Sequence, residues 1–193
     1  MGKVLLVVNP SSGQEAGKRY ADSVAEALEK KYSEVVVKYT EKAGDATAFA
    51  KEAAQERYEA VFVMGGDGTV NEGVSGLAEE AYRPKFSFIP LGTVNDLGRS
   101  LGISMNPEEA ISQLDRLVEK KLDVGKINNH YFIDVVAIGT IPEAVQAVEP
   151  EQKTKLGSFA YILEGLKAVR DNKSYLFDMT IDGEKIQEES MAV

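Results

Sequence analysis

Apolar and polar positions in the first part of the chain follow two alternating rhythms. Val4–Val8 is a short unbroken apolar run closed by Asn9-Pro10, the pattern of a strand buried on both faces. Residues 16–31 switch to a helical period, with Tyr20, Val24, Ala27 and Leu28 on one face. Val35–Val37 with Tyr39 predicts a second strand. The alanine-rich stretch Asp45–Gln55, which opens on an acid, predicts a second helix. Ala60–Met64 and Phe86–Ile89 predict two more strands. Pro107 ahead of Glu-Glu-Ala-Ile marks a helix start, with Ile111, Leu114, Leu117 and Val118 as its apolar stripe. Strands alternating with helices imply an α/β fold: a parallel sheet with helices on both faces.

Near Leu122-Asp-Val-Gly125 the texture changes. Tyr131–Ile138 is a longer apolar run that predicts a strand, and Pro142–Thr154 is polar and irregular. Ser158–Val169 has a helical stripe of Phe159, Ile162, Leu163, Leu166 and Val169. Leu176–Ile181 alternates like a strand, Asp182-Gly183 is a hairpin turn signal, and a return strand starts at Lys185. The break divides the chain into an α/β domain, residues 1–124, and the start of a β-rich domain, residues 125–193. We expect the second domain to be incomplete, since a lone hairpin has little stability of its own.

Composition narrows the function. With 31 acidic and 22 basic residues the net charge is −9, which argues against a nucleic-acid partner and against broad adsorption to anionic membranes. The absence of cysteine removes disulfides, zinc–thiolate sites and thiol catalysis. The single histidine, His130, gives a Ser-His-Asp triad little to work with. The five-residue run Val4–Val8 is too short for a signal-peptide core or a membrane helix, so the expected location is the cytoplasm.

The chemistry concentrates at the predicted carboxyl ends of the strands, where parallel α/β sheets bind ligands. Strand one runs into Asn9-Pro-Ser-Ser-Gly13, strand three into Gly65-Gly-Asp-Gly-Thr-Val-Asn-Glu72, and strand four into Pro90-Leu-Gly-Thr-Val-Asn-Asp96. The string Gly-Thr-Val-Asn-acid occurs twice, which suggests one local solution used at two turns. A purely structural account exists: Thr69 with Glu72, and Thr93 with Asp96, have capping-box spacing. Three glycines around Asp67 exceed what a cap needs, however. They let backbone amides approach a phosphate at a helix N-terminus, where Asp67 can order a cation or take a proton from a hydroxyl. Gly13-Gln-Glu-Ala-Gly17-Lys18-Arg19 has the wrong spacing for a Walker loop, and no dinucleotide fingerprint follows the first strand.

Together, Asn9–Gly13, Lys42-Ala-Gly-Asp-Ala-Thr47, residues 65–72 and Pro90–Arg99 resemble the diacylglycerol kinase catalytic domain, with the bacterial soluble lipid kinases as the nearest branch. The resemblance implies phosphorylation of a lipid hydroxyl, diacylglycerol giving phosphatidic acid, with ATP and Mg²⁺. It implies a nucleotide site at Asn9, Pro10, Ser11, Ser12, Gly13, Thr40, Gly66, Asp67, Gly68, Thr69, Val70, Asn71, Glu72 and Thr93, with Asn95 and Asp96 supporting the loop. Thr40 reads equally as an ordinary β-branched strand residue. Asp67 and, more weakly, Glu143 are the catalytic candidates, Glu143 reading also as a solvated loop acid. No metal ligands can be assigned. Family members continue into a complete β-sandwich carrying further acids, so Asp182-Gly-Glu184 matches an early hairpin rather than the late catalytic motif. The implied partner is a lipid substrate met at a transient membrane contact, and the unpaired edges of an incomplete sandwich suggest either pairing with a partner or a homodimer. The rival expectations are a nucleotide-binding fragment or pseudo-enzyme without catalysis, and an NAD kinase-like enzyme, against which the second Gly-Thr-Val-Asn-Asp turn speaks.

Overall fold

The computed structural model of the protein describes residues 2–138 and 174–190. The chain divides into two compact units, residues 1–134 and 135–193. The first unit holds β1 (Lys3–Val8), α1 (Ser12–Glu29), β2 (Glu34–Tyr39), α2 (Asp45–Gln55), β3 (Ala60–Gly65), α3 (Asp67–Leu77) and β4 (Lys85–Pro90). It continues through α4 (Asp96–Ser100), α5 (Pro107–Gln113), a 3₁₀ turn at Leu114–Arg116, and the hairpin strands β5 (Gly125–Ile127) and β6 (His130–Phe132).

The four long strands form one parallel sheet in the order β2-β1-β3-β4, with Val4 opposite both Val35 and Ala60. Alternation along β1 and β3 divides the core in two. Val4, Leu6, Val8, Phe62 and Met64 pack with Ala21, Val24 and Leu28 of α1 and Ala110 of α5. Leu5, Val7, Val61 and Val63 face the other way, onto Ala46, Ala50, Ala53 and Ala54 of α2, Val70 and Leu77 of α3, and Leu97 of α4. Helices thus cover both faces, as the apolar runs predict. The alanine face of α2 lets α3 come close: a methyl group on Gly76 would lie 2.3 Å from the Thr47 carbonyl oxygen.

Several local expectations need correction. Helix α1 starts at Ser12 rather than residue 16, but Gly13 and Glu15 have φ of 63° and 68°, so its first turn is irregular. Helix α5 ends at Gln113, and Leu117 turns extended, leaving Val118 80% exposed, so neither continues the stripe. The strand expected over Tyr131–Ile138 is only His130–Phe132; Asp134 interrupts the apolar run, and Val135 and Ile138 are exposed. Neither capping box forms, because α3 starts at Asp67 and α4 at Asp96, which places Thr69 inside one helix and Thr93 outside the other.

In the second unit, β7 (Tyr175–Ile181) and β8 (Glu184–Ser190) pair antiparallel across Asp182-Gly183. Both turn residues have positive φ, 50° and 90°, the type I′ geometry that the Asp-Gly pair favours. The expected helix at 158–169, the irregular stretch 142–154 and Glu143 lie outside the described residues. Among the described residues no helix is long and apolar enough to cross a membrane.

Candidate functional site

The strand order reverses direction between β1 and β3: the chain leaves β1 for β2 on one side, then crosses to β3 and β4 on the other. Loops at the carboxyl ends diverge at such a point and leave a crevice. Three of them are locked together there by backbone. Asn9 N–H donates to the Met64 carbonyl at 2.9 Å, and Leu91 N–H to that of Gly65 at 2.8 Å. A methyl group on Gly66 would lie 3.0 Å from Gly92 Cα, and one on Gly13, 2.7 Å from the Leu91 carbonyl oxygen. Only chains without side chains at these positions can approach this closely.

The twin strings do not share one conformation, contrary to the expectation from their sequence. Gly68–Glu72 lies within α3. Thr69 and Val70 are buried, Val70 facing the alanine face of α2, and Asn71 Nδ2 donates to the Tyr131 carbonyl at 3.1 Å. Gly92–Asn95 is a turn instead. Asn95 sits in the left-handed region with φ 54°, is buried, takes the Gly92 N–H on Oδ1 and donates Nδ2 to the Gly92 carbonyl, both at 2.8 Å. Its own N–H donates to Asp67 Oδ2 at 2.8 Å, so Asp67 ties the first string's helix to the second string's turn. Asn95 does support the loop, as the resemblance implies.

A cleft of about 340 Å³ opens beside these loops, lined by Asn9, Ser11, Thr40, Glu41, Lys42, Ala43, Gly68, Thr69 and Glu72. Asn9 organises one wall: its Nδ2 donates to Thr69 Oγ1 at 3.0 Å, while Oδ1 receives the Ser11 N–H at 3.2 Å and hydroxyl at 2.9 Å. The opposite wall follows β2. Asp45 Oδ2 accepts the N–H groups of Glu41 and Lys42 at 2.8 and 2.9 Å and bends that loop over the cleft. Those two N–H donors, with the Lys42 charge adding to them, hold the Asp45 carboxyl below its ordinary value.

Two observations suit this cleft to phosphate. Val70 N–H makes the first bond back along α3, to Gly66 at 3.0 Å, and no side chain caps the helix, so the N–H groups of Asp67, Gly68 and Thr69 precede the helical ladder. A side chain at Gly68 would meet nothing within 4 Å, and its φ is not positive, so neither packing nor backbone geometry demands glycine there. Among the described residues no three carboxylates or imidazoles converge, but Glu41 and Glu72 line the cleft and Asp67 lies beside it.

The diacylglycerol kinase catalytic domain family matches residues 3–127. The chain belongs to this family. It is 40% identical to a diacylglycerol kinase of Staphylococcus carnosus over 187 residues, covering 95% of this chain and 60% of that protein. For a diacylglycerol kinase of Staphylococcus aureus (strain JH9) the values are 39% over 189 residues, 96% and 59%. A crystal structure of a diacylglycerol kinase from Bacillus anthracis superposes with a TM-score of 0.77 at 33% identity, covering 98% of this chain and 62% of that one. The chain thus spans about three fifths of the length of these relatives.

In this diacylglycerol kinase family member, the cleft brings together Asn9, Ser11, Thr40, Gly68, Thr69 and Glu72 of the expected nucleotide residues. Pro10 and Ser12 flank Ser11, Gly13 and Gly66 make the close backbone contacts, and Thr93 is exposed at the turn. Val70 and Asn71 face core and hairpin, and none of these seven lines the cleft. The site-residue expectation passed over Glu41 and Lys42. Their signal was present in the Lys42–Thr47 stretch, whose Asp45 turns the loop inward.

Proposed function

We propose that this chain carries the nucleotide half of a lipid kinase that transfers the γ-phosphoryl group of ATP, with Mg²⁺, to the hydroxyl of diacylglycerol and forms phosphatidic acid. The observation that supports it most is Gly68: a glycine that nothing in the fold requires, at the uncapped start of α3, facing a cleft edged by hydroxyls. The N–H groups of Gly68 and Thr69 hold phosphate oxygens there, and the hydroxyls of Thr40 and Thr69 fix their orientation. Mg²⁺ supplies neutralisation of charge on the phosphates. The diacylglycerol acceptor comes from the family and from the names of the staphylococcal relatives. The protein works in the cytoplasm and meets its lipid by transient contact with the membrane surface.

Asp67 keeps one carboxylate oxygen on Asn95 N–H, which leaves the other to accept the proton of the attacking hydroxyl as the new O–P bond forms and the bond to the ADP leaving group breaks. Glu143 is the second acid of this reading. The test is ATP-dependent phosphatidic acid formation in diacylglycerol mixed micelles with Mg²⁺. Asp67→Asn keeps an acceptor for Asn95 N–H but not the base. It should lower turnover by about 10²–10⁴-fold while ATP binding persists; near-normal turnover removes Asp67 from proton transfer. ATP binding without any phosphatidic acid, even in the unsubstituted chain, would confine the function of these residues to nucleotide binding.

A further inference from the structure

We infer that Lys42 is a phosphate-binding residue of the cleft, its ammonium group contacting the β- or γ-phosphate of a bound nucleoside triphosphate. The inference rests on the triphosphate reading above and assigns to the β2–α2 loop a part of the binding that the glycine loop does not supply.

Charge is the first argument. Lys42 is the one cation among the residues lining the cleft, which also include the acids Glu41 and Glu72. Backbone N–H groups carry only partial charges. A triphosphate entering a cleft with two carboxylates, in a chain of net charge −9, gains most from a full positive charge close by.

Availability is the second. Lys3, Lys38, Lys51, Lys85 and Lys126 each form an ion pair with a glutamate. Among the described residues Lys42 forms none. Glu41 precedes it directly and forms no ion pair with it among the described residues, and Asp45, three residues on, spends one oxygen on two backbone N–H groups, those of Glu41 and of Lys42 itself. Asp45 therefore fixes the backbone from which Lys42 projects without fixing the side chain.

Shape is the third. Gly44 turns the loop with φ 88° into the start of α2, and an added side chain there would touch nothing. The Thr40 N–H is anchored on the Val8 carbonyl at 2.9 Å. The segment between these two anchors is thus pinned at both ends, and it presents Thr40, Glu41, Lys42 and Ala43 to the cleft as one edge.

The test is calorimetric titration of the whole chain with ATP, ADP and AMP, for wild type, Lys42→Met and Lys42→Arg. Lys42→Met should weaken ATP binding about tenfold or more, leave AMP within about twofold, and leave the thermal midpoint unchanged, because Lys42 is exposed. Lys42→Arg should recover most of the ATP affinity. If Lys42→Met binds ATP as wild type does, or weakens ATP, ADP and AMP alike, the assignment falls while the triphosphate reading stands. If wild type itself binds no ATP, both fall.

Discussion

Gly68-Thr-Val-Asn-Glu72 and Gly92-Thr-Val-Asn-Asp96 differ only in the length of the last acidic side chain, yet they fold differently. The first is helix throughout; the second is a turn whose asparagine closes a ring with its own glycine. Their placement after the strands explains the difference. Gly65 and Pro90 pair at the ends of β3 and β4, but two residues, Gly66 and Asp67, separate the first string from its strand, and only Leu91 separates the second. In space the partner of Gly92 is therefore Gly66, not Gly68. Identical letters take up distinct roles because packing against neighbouring backbone, and not the pentapeptide, selects the conformation.

Substituting the two glycines tests this most severely. Gly92→Ala would put a methyl group 2.7 Å from both Gly66 Cα and Asn95 Oδ1 and should cost about 2–3 kcal/mol in urea unfolding, the usual penalty of overpacking against backbone. Gly68→Ala should do the reverse, raising stability by about 0.5–1 kcal/mol as alanine replaces glycine in a helix, while its methyl group enters the cleft and weakens ATP binding in titration. Equal stability changes in the two variants would sink the distinction.

The asparagines give a smaller contrast. Asn95→Ala removes two side-chain hydrogen bonds to Gly92 and a weak one to Met105 Sδ at a buried residue with positive φ and should cost about 2 kcal/mol. Asn71→Ala loses one bond to the Tyr131 carbonyl and should cost about 1 kcal/mol. Denaturant midpoints in the opposite order would show that the ring at Gly92 is not what holds the second turn.

The β2–α2 loop supplies the smallest effect. The Asp45 carboxyl lies below its ordinary 3.8 because the Glu41 and Lys42 N–H groups favour the charged form. A group with a depressed folded value stabilises above the unfolded value, and that contribution disappears as pH falls through the folded one. The loop clamp should therefore persist at neutral pH and weaken only below about pH 4. A carboxyl NMR titration that places Asp45 at or above the ordinary value would contradict it.

Much of the sheet was legible because its signal is local. Five apolar residues before Asn9, and the alanine face of Asp45–Gln55, state their own burial. The errors fell where two periods fit the same letters. Leu117-Val118 can extend a helical stripe or begin an extended segment, and it is the extended form that follows the 3₁₀ turn. At the site, residue types pointed to the loops that edge the cleft, while Asp67 on Asn95, Gly66 against Gly92 and Lys42 on the cleft's edge were out of reach. Each depends on contact between segments far apart in sequence or on a loop turned by a neighbouring carboxylate. The helix of α3 likewise begins earlier than a threonine cap predicts, since Gly66 stops β3 one residue past its last pairing.

The contact between Gly66 and Gly92 also bears on local opening. Side chains usually separate neighbouring loops and let one fray while the other stays closed. Here the two main chains touch directly, and Leu91 on Gly65 and Asn95 on Asp67 fasten them from either side. Neither tip can detach without breaking the other's hydrogen bonds, so the amides of both belong to a single cooperative unit and exchange with solvent through one shared opening.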